Sequence, residues 1–242
     1  VRVWIAALLA ACALVACAPM PTAPAVPAPT APAGFPTDDY AKAAARGEPV
    51  FRLDPAQSVV VMRVYRGGAL ARFGHDHVVA SRDVHGYLLL ANNSAERRAD
   101  LYAPLASLSV DEPALRARAG FDTQPSQQDI DGTRRNMLEK VLEAGHFPFV
   151  SLHVDRAVGD PPALMVNAAA TLHGKTHAQS IALQLDTASA NTVYVRGRFS
   201  VKQTDFGITP YSLLGGALRV EDRVDIEFDL AATRVVPGAI GD

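Results

Sequence analysis

Leu218-Arg219-Val220-Glu221-Asp222-Arg223-Val224-Asp225-Ile226-Glu227-Phe228-Asp229-Leu230-Ala231-Ala232-Thr233 sets apolar Val220, Val224, Ile226, Phe228 and Leu230 against acidic Glu221, Asp225, Glu227 and Asp229. A strand turns successive side chains to opposite faces, so this run has one apolar face and one charged face. That pattern belongs to an antiparallel sheet with one side in water, because strands of a parallel sheet are buried on both faces. The same short-period or β-branched patterning, bounded by Gly, Pro, Asn and Asp, marks further strands upstream. They are Ser58–Tyr65, Val84–Leu90, Ala99–Ser109, Phe149–Val158, Ala163–Leu172, Ala178–Asp186 and Thr192–Ser200. Eight candidates in one domain predict a closed sheet. No strand–helix–strand rhythm appears, so a parallel α/β fold is not expected. One amphipathic helix is predicted, over Gln127–Ala144. Ser126 and Asp129 resemble a capping box, Ile130, Met137, Leu138 and Val141 share a face, Gly145 and Pro148 end it, and Gly132 marks a potential break. A lone helix beside a barrel closes an end or packs on the wall.

The N-terminal segment is of another kind. Arg2 is followed by apolar Val3–Val15, too short to span a bilayer, then Ala16 and Cys17. This resembles a bacterial lipoprotein signal. The resemblance implies that residues 1–16 are removed, that Cys17 is acylated, and that the protein is anchored to a membrane in the cell envelope rather than spanning it. Ala18 after Cys17, instead of Asp, implies the outer membrane, facing the periplasm. Residues 17–47 then form a linker. Proline stands at every second or third position from Ala18 to Pro32, as in a polyproline-like spacer whose reach is roughly 50–60 Å at about 3.1 Å per residue. Ala-rich Asp38–Arg46 is compatible with a helical turn or two. The globular domain is expected over residues 48–236.

With Cys12 in the signal and Cys17 lipidated, the folded part has no thiol. Disulfides, Cys-ligated zinc, iron–sulfur clusters and thiol nucleophiles are excluded there. A chain of 242 residues, 49% hydrophobic, supplies one substantial core without them. A formal net charge of −2 leaves no basic excess to neutralise phosphates, so nucleic acid is not an expected partner.

The densest polar constellation is His75-Asp76-His77. On a strand both imidazoles would share a face and offer two metal ligands, with His85, His153 or His173 as a possible third across strands. On a loop they would instead hydrogen-bond their own turn or a ligand head group at a barrel mouth, which is the reading preferred here. His173 and His177 have the spacing of a helical metal pair, but Gly174 between them signals a hairpin. Asp205-Phe206-Gly207 shares letters with the kinase magnesium motif but none of its companions. Ser107, Ser109, Ser151 and Ser200 lack a nucleophile elbow.

Four segments in order resemble the YceI family of bacterial envelope proteins. These are Phe51-Arg52-Leu53-Asp54-Pro55-Ala56-Gln57-Ser58, the corner Glu143-Ala144-Gly145-His146-Phe147-Pro148-Phe149-Val150-Ser151-Leu152, the hairpin Thr171-Leu172-His173-Gly174-Lys175-Thr176, and Lys202-Gln203-Thr204-Asp205-Phe206-Gly207-Ile208. Departures are Gln57 and Tyr65 where the family often has His, His177 where it has Lys or Arg, and Lys175 at a usually apolar place. The resemblance implies an all-β fold: an eight-stranded antiparallel lipocalin-like barrel enclosing an elongated apolar cavity for one polyisoprenoid or quinone-like lipid. Val60, Met62 and Val64 on the first strand and Val150, Leu152 and Val154 on the fourth are then the inward, ligand-binding candidates, with Phe206 at the barrel end and His75 and His77 at the mouth. A slip of one residue in register would turn these sets outward. The leading reading is a non-enzymatic, lipid-anchored periplasmic carrier with no cofactor. A metal-binding protein or metal-dependent enzyme centred on His75 and His77, and an envelope interaction module without ligand, are the alternatives.

Overall fold

The computed structural model describes residues 31–236 and 238–240; the signal, Cys17 and the Pro-rich spacer up to Thr30 lie outside the described residues. Twelve strands follow one another: β1 (Val50–Leu53), β2 (Val59–Gly67), β3 (His77–Ser81), β4 (His85–Leu89), β5 (Arg98–Pro104), β6 (Ser109–Val110), β7 (Phe149–Val158), β8 (Ala163–Leu172), β9 (Lys175–Ser189), β10 (Thr192–Lys202), β11 (Ser212–Leu213) and β12 (Leu218–Arg234). Among the described residues three α-helices accompany them, α1 (Thr37–Ala45), α2 (Pro113–Ala119) and α3 (Gln127–Asn136).

Eleven of the twelve strands resolve into eight staves, because three staves are broken, and β11 only flanks the start of β12. β12 pairs along one edge with β2 over Arg219–Asp229 and then with β1 over Ala232–Arg234, so β1 and β2 are one stave interrupted at Asp54-Pro55. Asp54 caps the interruption: its carboxylate accepts the Ala56 N–H at 3.0 Å, and the Ser58 hydroxyl donates to its carbonyl at 2.7 Å. β3 pairs with β2 and β4 with β1, making the second stave, broken over Arg82–Val84. β5 and β6 form the third, broken by the helical turn Leu105–Ser107. From there β7, β8, β9, β10 and β12 continue the antiparallel meander, and the β1–β12 pairing closes the ring. Closure removes the free edges that an open sheet of this size would expose.

The bounds expected for β7 and β8 coincide with those observed, and β12 differs by one residue. Their hairpin mates β8 and β9 turn on His173-Gly174, both in the left-handed region (φ 53° and 71°) that two-residue primed turns require. Gly174 is also needed for space, since a Cβ there would lie 2.8 Å from the Phe147 ring.

The helices expected over Gln127–Ala144 and Asp38–Arg46 are both present, and only their detail needs correction. The helix runs through Gly132 without a break and changes instead to a π turn at Met137–Val141. The Ser126/Asp129 capping box is present. α2 was not anticipated, although Pro113 at its first turn and left-handed Gly120 at its end are ordinary start and stop signals. α1, within the stretch expected as linker, packs on the outer wall. Tyr40, Ala43 and Ala44 share a face at i, i+3, i+4 spacing and bury against Val50, Leu89 and Ala91. The Tyr40 hydroxyl donates to Asp100 at 2.8 Å, and burial first, then that carboxylate, pushes its pKa well up. The packed body therefore begins before β1.

Inside the ring sits the main core: Phe51, Leu53 and Leu88 with Val154, Leu164, Val166, Ile181, Leu185, Val193, Val195 and Leu230. A second cluster closes the end where β2 finishes and β3 starts. There Ile130, Met137, Leu138 and Leu142 of α3 and its π turn pack on Val79, Leu105, Leu108 and Val110. Arg134 fastens the helix by donating to the carbonyls of Leu108 and Ala106.

Candidate functional site

The inward faces of the staves leave a cavity of about 310 Å3. Its room comes from small side chains set opposite larger ones. Ala168 and Ala170 of β8 face Val154 and Leu152 of β7, and Gly197 of β10 faces Phe228 of β12. A Cβ at Gly197 would lie 2.5 Å from the Phe228 ring, so glycine is what lets that ring lie across the strand pair inside the barrel. The walls are aliphatic and aromatic almost throughout, with Leu101, Leu152, Leu183, Phe199, Ile226 and Phe228 among them. Few polar residues border it. Arg97 donates instead to the carbonyls of Ala91 and Gly159, and the Arg98 guanidinium lies over the Tyr40 ring on the outer wall. Ser81, Tyr102 and Ser151 are the other polar residues of the lining; bound water needs two or more polar partners, whereas a hydrocarbon chain needs none.

Of the residues singled out from sequence, Val60, Met62, Val150, Leu152, Val154 and Phe206 line this cavity. Val64 does not. It stands one inward position further along β2 and packs in the cluster under α3. His75 and His77 do not line it either. Only His77 belongs to a strand, and the two rings lie 6.1 Å apart at 72°.

What holds His77 is an ion network that sequence reading missed. Asp111, its side chain wholly buried, accepts from His77 Nδ1 at 2.7 Å, from the Val78 N–H at 2.9 Å and from Arg116 at 2.8 Å. Arg116, on α2, donates further to the carbonyls of Asp76 at 2.6 Å and Thr123 at 2.6 Å. Asp76 in turn accepts the Arg66 N–H at 2.8 Å, and the Arg66 guanidinium reaches Asp122 at 2.8 Å. Burial alone would raise the Asp111 pKa, but the hydrogen bonds from His77, Val78 and Arg116 outweigh it and hold the carboxyl below its ordinary value. The arrangement joins β3, the end of β6 and α2 around a buried ion pair. The sequence signal was Asp111-Glu112-Pro113, an acid just ahead of a helix-starting proline, which reads as a cap and gives no hint of Arg116 or His77 as partners.

The imidazoles proposed as further metal ligands are engaged elsewhere. His85 lies 2.5 Å from Asp83 and stacks on Tyr102, His153 lies 2.7 Å from Asp100, and His173 lies 3.5 Å from Glu143. Among the described residues no three metal-ligating side chains converge.

A closed antiparallel ring of eight staves with a hollow apolar interior defines a lipocalin-like barrel, the size class whose interior admits side chains or one slim ligand. The YceI-like domain model matches residues 51–232, and the chain belongs to that family. Two solved structures have the same fold. BcnA of Burkholderia cenocepacia matches with a TM-score of 0.56 at 16% identity, over 75% of this chain and 99% of that one. A polyisoprenoid binding domain from Saccharophagus degradans, implicated in plant cell wall breakdown, matches with a TM-score of 0.54 at 16% identity, over 76% and 98%. No curated protein matches the sequence.

Proposed function

We propose that this protein is a non-enzymatic carrier or sequestering protein. It holds one polyisoprenoid or quinone-like lipid in the barrel cavity and is tethered by an acylated Cys17 to the periplasmic face of the envelope, on the outer membrane. The observation that carries the reading is the cavity inside the barrel, whose walls are apolar almost throughout. Removing a prenyl chain from water contributes roughly 25 cal/mol per Å2 of apolar area, and no catalytic group is needed for that. The polyisoprenoid-binding description of the Saccharophagus degradans domain supports the ligand class. The anchor rests on the run Leu14-Val15-Ala16-Cys17 and on the Pro-rich spacer behind it.

Native mass spectrometry of protein extracted from its own envelope tests the cavity: a non-covalent adduct with the mass of a prenyl lipid is expected. A stoichiometric metal with no lipid would replace this reading with the metal-binding one. The anchor is tested separately by metabolic labelling with palmitate. Cys17→Ser should carry no label and leave the membrane fraction or persist as a precursor, and a labelled variant would refute the lipoprotein assignment.

A further inference from the structure

Ser81 ends β3 at the break in the second stave, opposite Val60, and faces inward among the cavity walls. It is 3% exposed, and its Oγ has no hydrogen-bond partner. Buried hydroxyls are normally paired, and an unpaired one is destabilising; alanine or valine would fill the place without that penalty. Among the described residues two other buried polar atoms lack a hydrogen-bond partner, His75 Nδ1 and His173 Nε2, the latter 3.5 Å from the Glu143 carboxylate, and both lie outside the cavity lining. Ser81 is thus a buried, unpaired hydroxyl in a wall whose other polar residues are Arg97, Arg98, Tyr102 and Ser151.

We propose that Ser81 is the polar anchor of the cavity: its hydroxyl pairs with a single uncharged oxygen of a prenyl lipid, an alcohol, ketone or quinone carbonyl, and the cavity refuses a phosphorylated head. The inference rests on the carrier reading and specifies its ligand. A serine hydroxyl both donates and accepts, so it suits a carbonyl or a hydroxyl alike, and a change of χ1 rotamer redirects it. One neutral oxygen needs one such partner. A phosphate needs cations to offset its lost hydration, and the two arginines bordering the cavity are committed to Ala91, Gly159 and the Tyr40 ring.

The test titrates the delipidated full chain with farnesol, with farnesene, which has the same C15 skeleton without oxygen, and with farnesyl monophosphate. The parent should bind farnesol more tightly than farnesene and the monophosphate most weakly. Ser81→Ala should weaken farnesol by roughly fivefold to tenfold and leave farnesene unchanged, whereas Ser81→Thr, which keeps the hydroxyl, retains the preference. The thermal midpoint of empty Ser81→Ala should equal or exceed that of the parent, because no partner is lost. Equal losses for alcohol and hydrocarbon, a monophosphate bound as tightly as the alcohol, or a lowered midpoint for the empty alanine variant would each overturn the anchor while leaving the carrier standing. A parent that takes up neither farnesol nor farnesene overturns both.

Discussion

Asp111→Ala should lower the stability of the barrel by about 3–5 kcal/mol, the range for removing one partner of a buried, hydrogen-bonded ion pair. The substitution strands Arg116, whose side chain is 10% exposed, and frees His77 Nδ1 and the Val78 N–H together. Asp111→Asn separates charge from shape. Position 111 has φ 54°, which asparagine tolerates, and the amide oxygen still accepts from Val78 or Arg116. Its loss should therefore be smaller, and its pH response should differ. The Asp111 pKa is lowered in the folded state, so in acid the unfolded chain binds more protons and stability rises with pH. The contribution of the ionised carboxylate is present above its unfolded value, about 3.9, and is lost as pH falls below that toward the lower folded value. Chemical denaturation at pH 7 and at successive values below 4 measures this. The parent should lose more stability over that range than Asp111→Asn; parallel curves would mean that the carboxylate is not the group holding the end together.

This network and the barrel differ in how far the sequence discloses them. β7, β8 and β12 were legible because each is a long alternating run with one wet face, closed by a Gly-, Asp- or Pro-containing turn. Of the three broken staves one piece each was legible, β2 through Ser58–Tyr65, β4 through Val84–Leu90 and β5 through Ala99–Ser109, but the breaks and the pieces β1, β3 and β6 were not. β1, β3 and β6 have 4, 5 and 2 residues, too few to establish a period, and β3 starts inside the His75-Asp76-His77 run that reads as a loop. The inward choice of Val60, Met62, Val150, Leu152 and Val154 places them on the cavity wall, because the residues between them, such as Arg63 and His153, find partners on the outer face. The choice fails at Val64, where α3 has closed the barrel and the inward face meets a helix instead of a hollow. Ser81 and Asp111 escaped for a shared reason. Each is a polar side chain whose role is set by what lies across the sheet, and one-dimensional spacing carries no record of that neighbour.

Leu152→Asp should both empty and weaken the barrel. Leu152 pairs with Leu101 and Ala170 at mid-strand, lines the cavity and has no cation beside it to receive a carboxylate. The change forfeits roughly 1.5–3 kcal/mol of apolar burial and adds about 1–3 kcal/mol for a polar group without partners. In such surroundings the new carboxyl's pKa rises above its unfolded value, because burial disfavours the charged form. The folded state then binds more protons than the unfolded state between the two values, so stability relative to the parent falls with rising pH. The deficit should accordingly be largest near neutrality and shrink as pH approaches 4, opposite in sign to the dependence contributed by Asp111. Prenyl-lipid uptake should fall in step, with Leu152→Met, which keeps volume and apolarity, retaining both stability and binding. Denaturation curves at pH 4.5 and 7.5, read beside farnesol titrations of the two variants, decide the matter. A Leu152→Asp protein that matches the parent in stability and uptake would place residue 152 in solvent and invert the register on which the cavity depends.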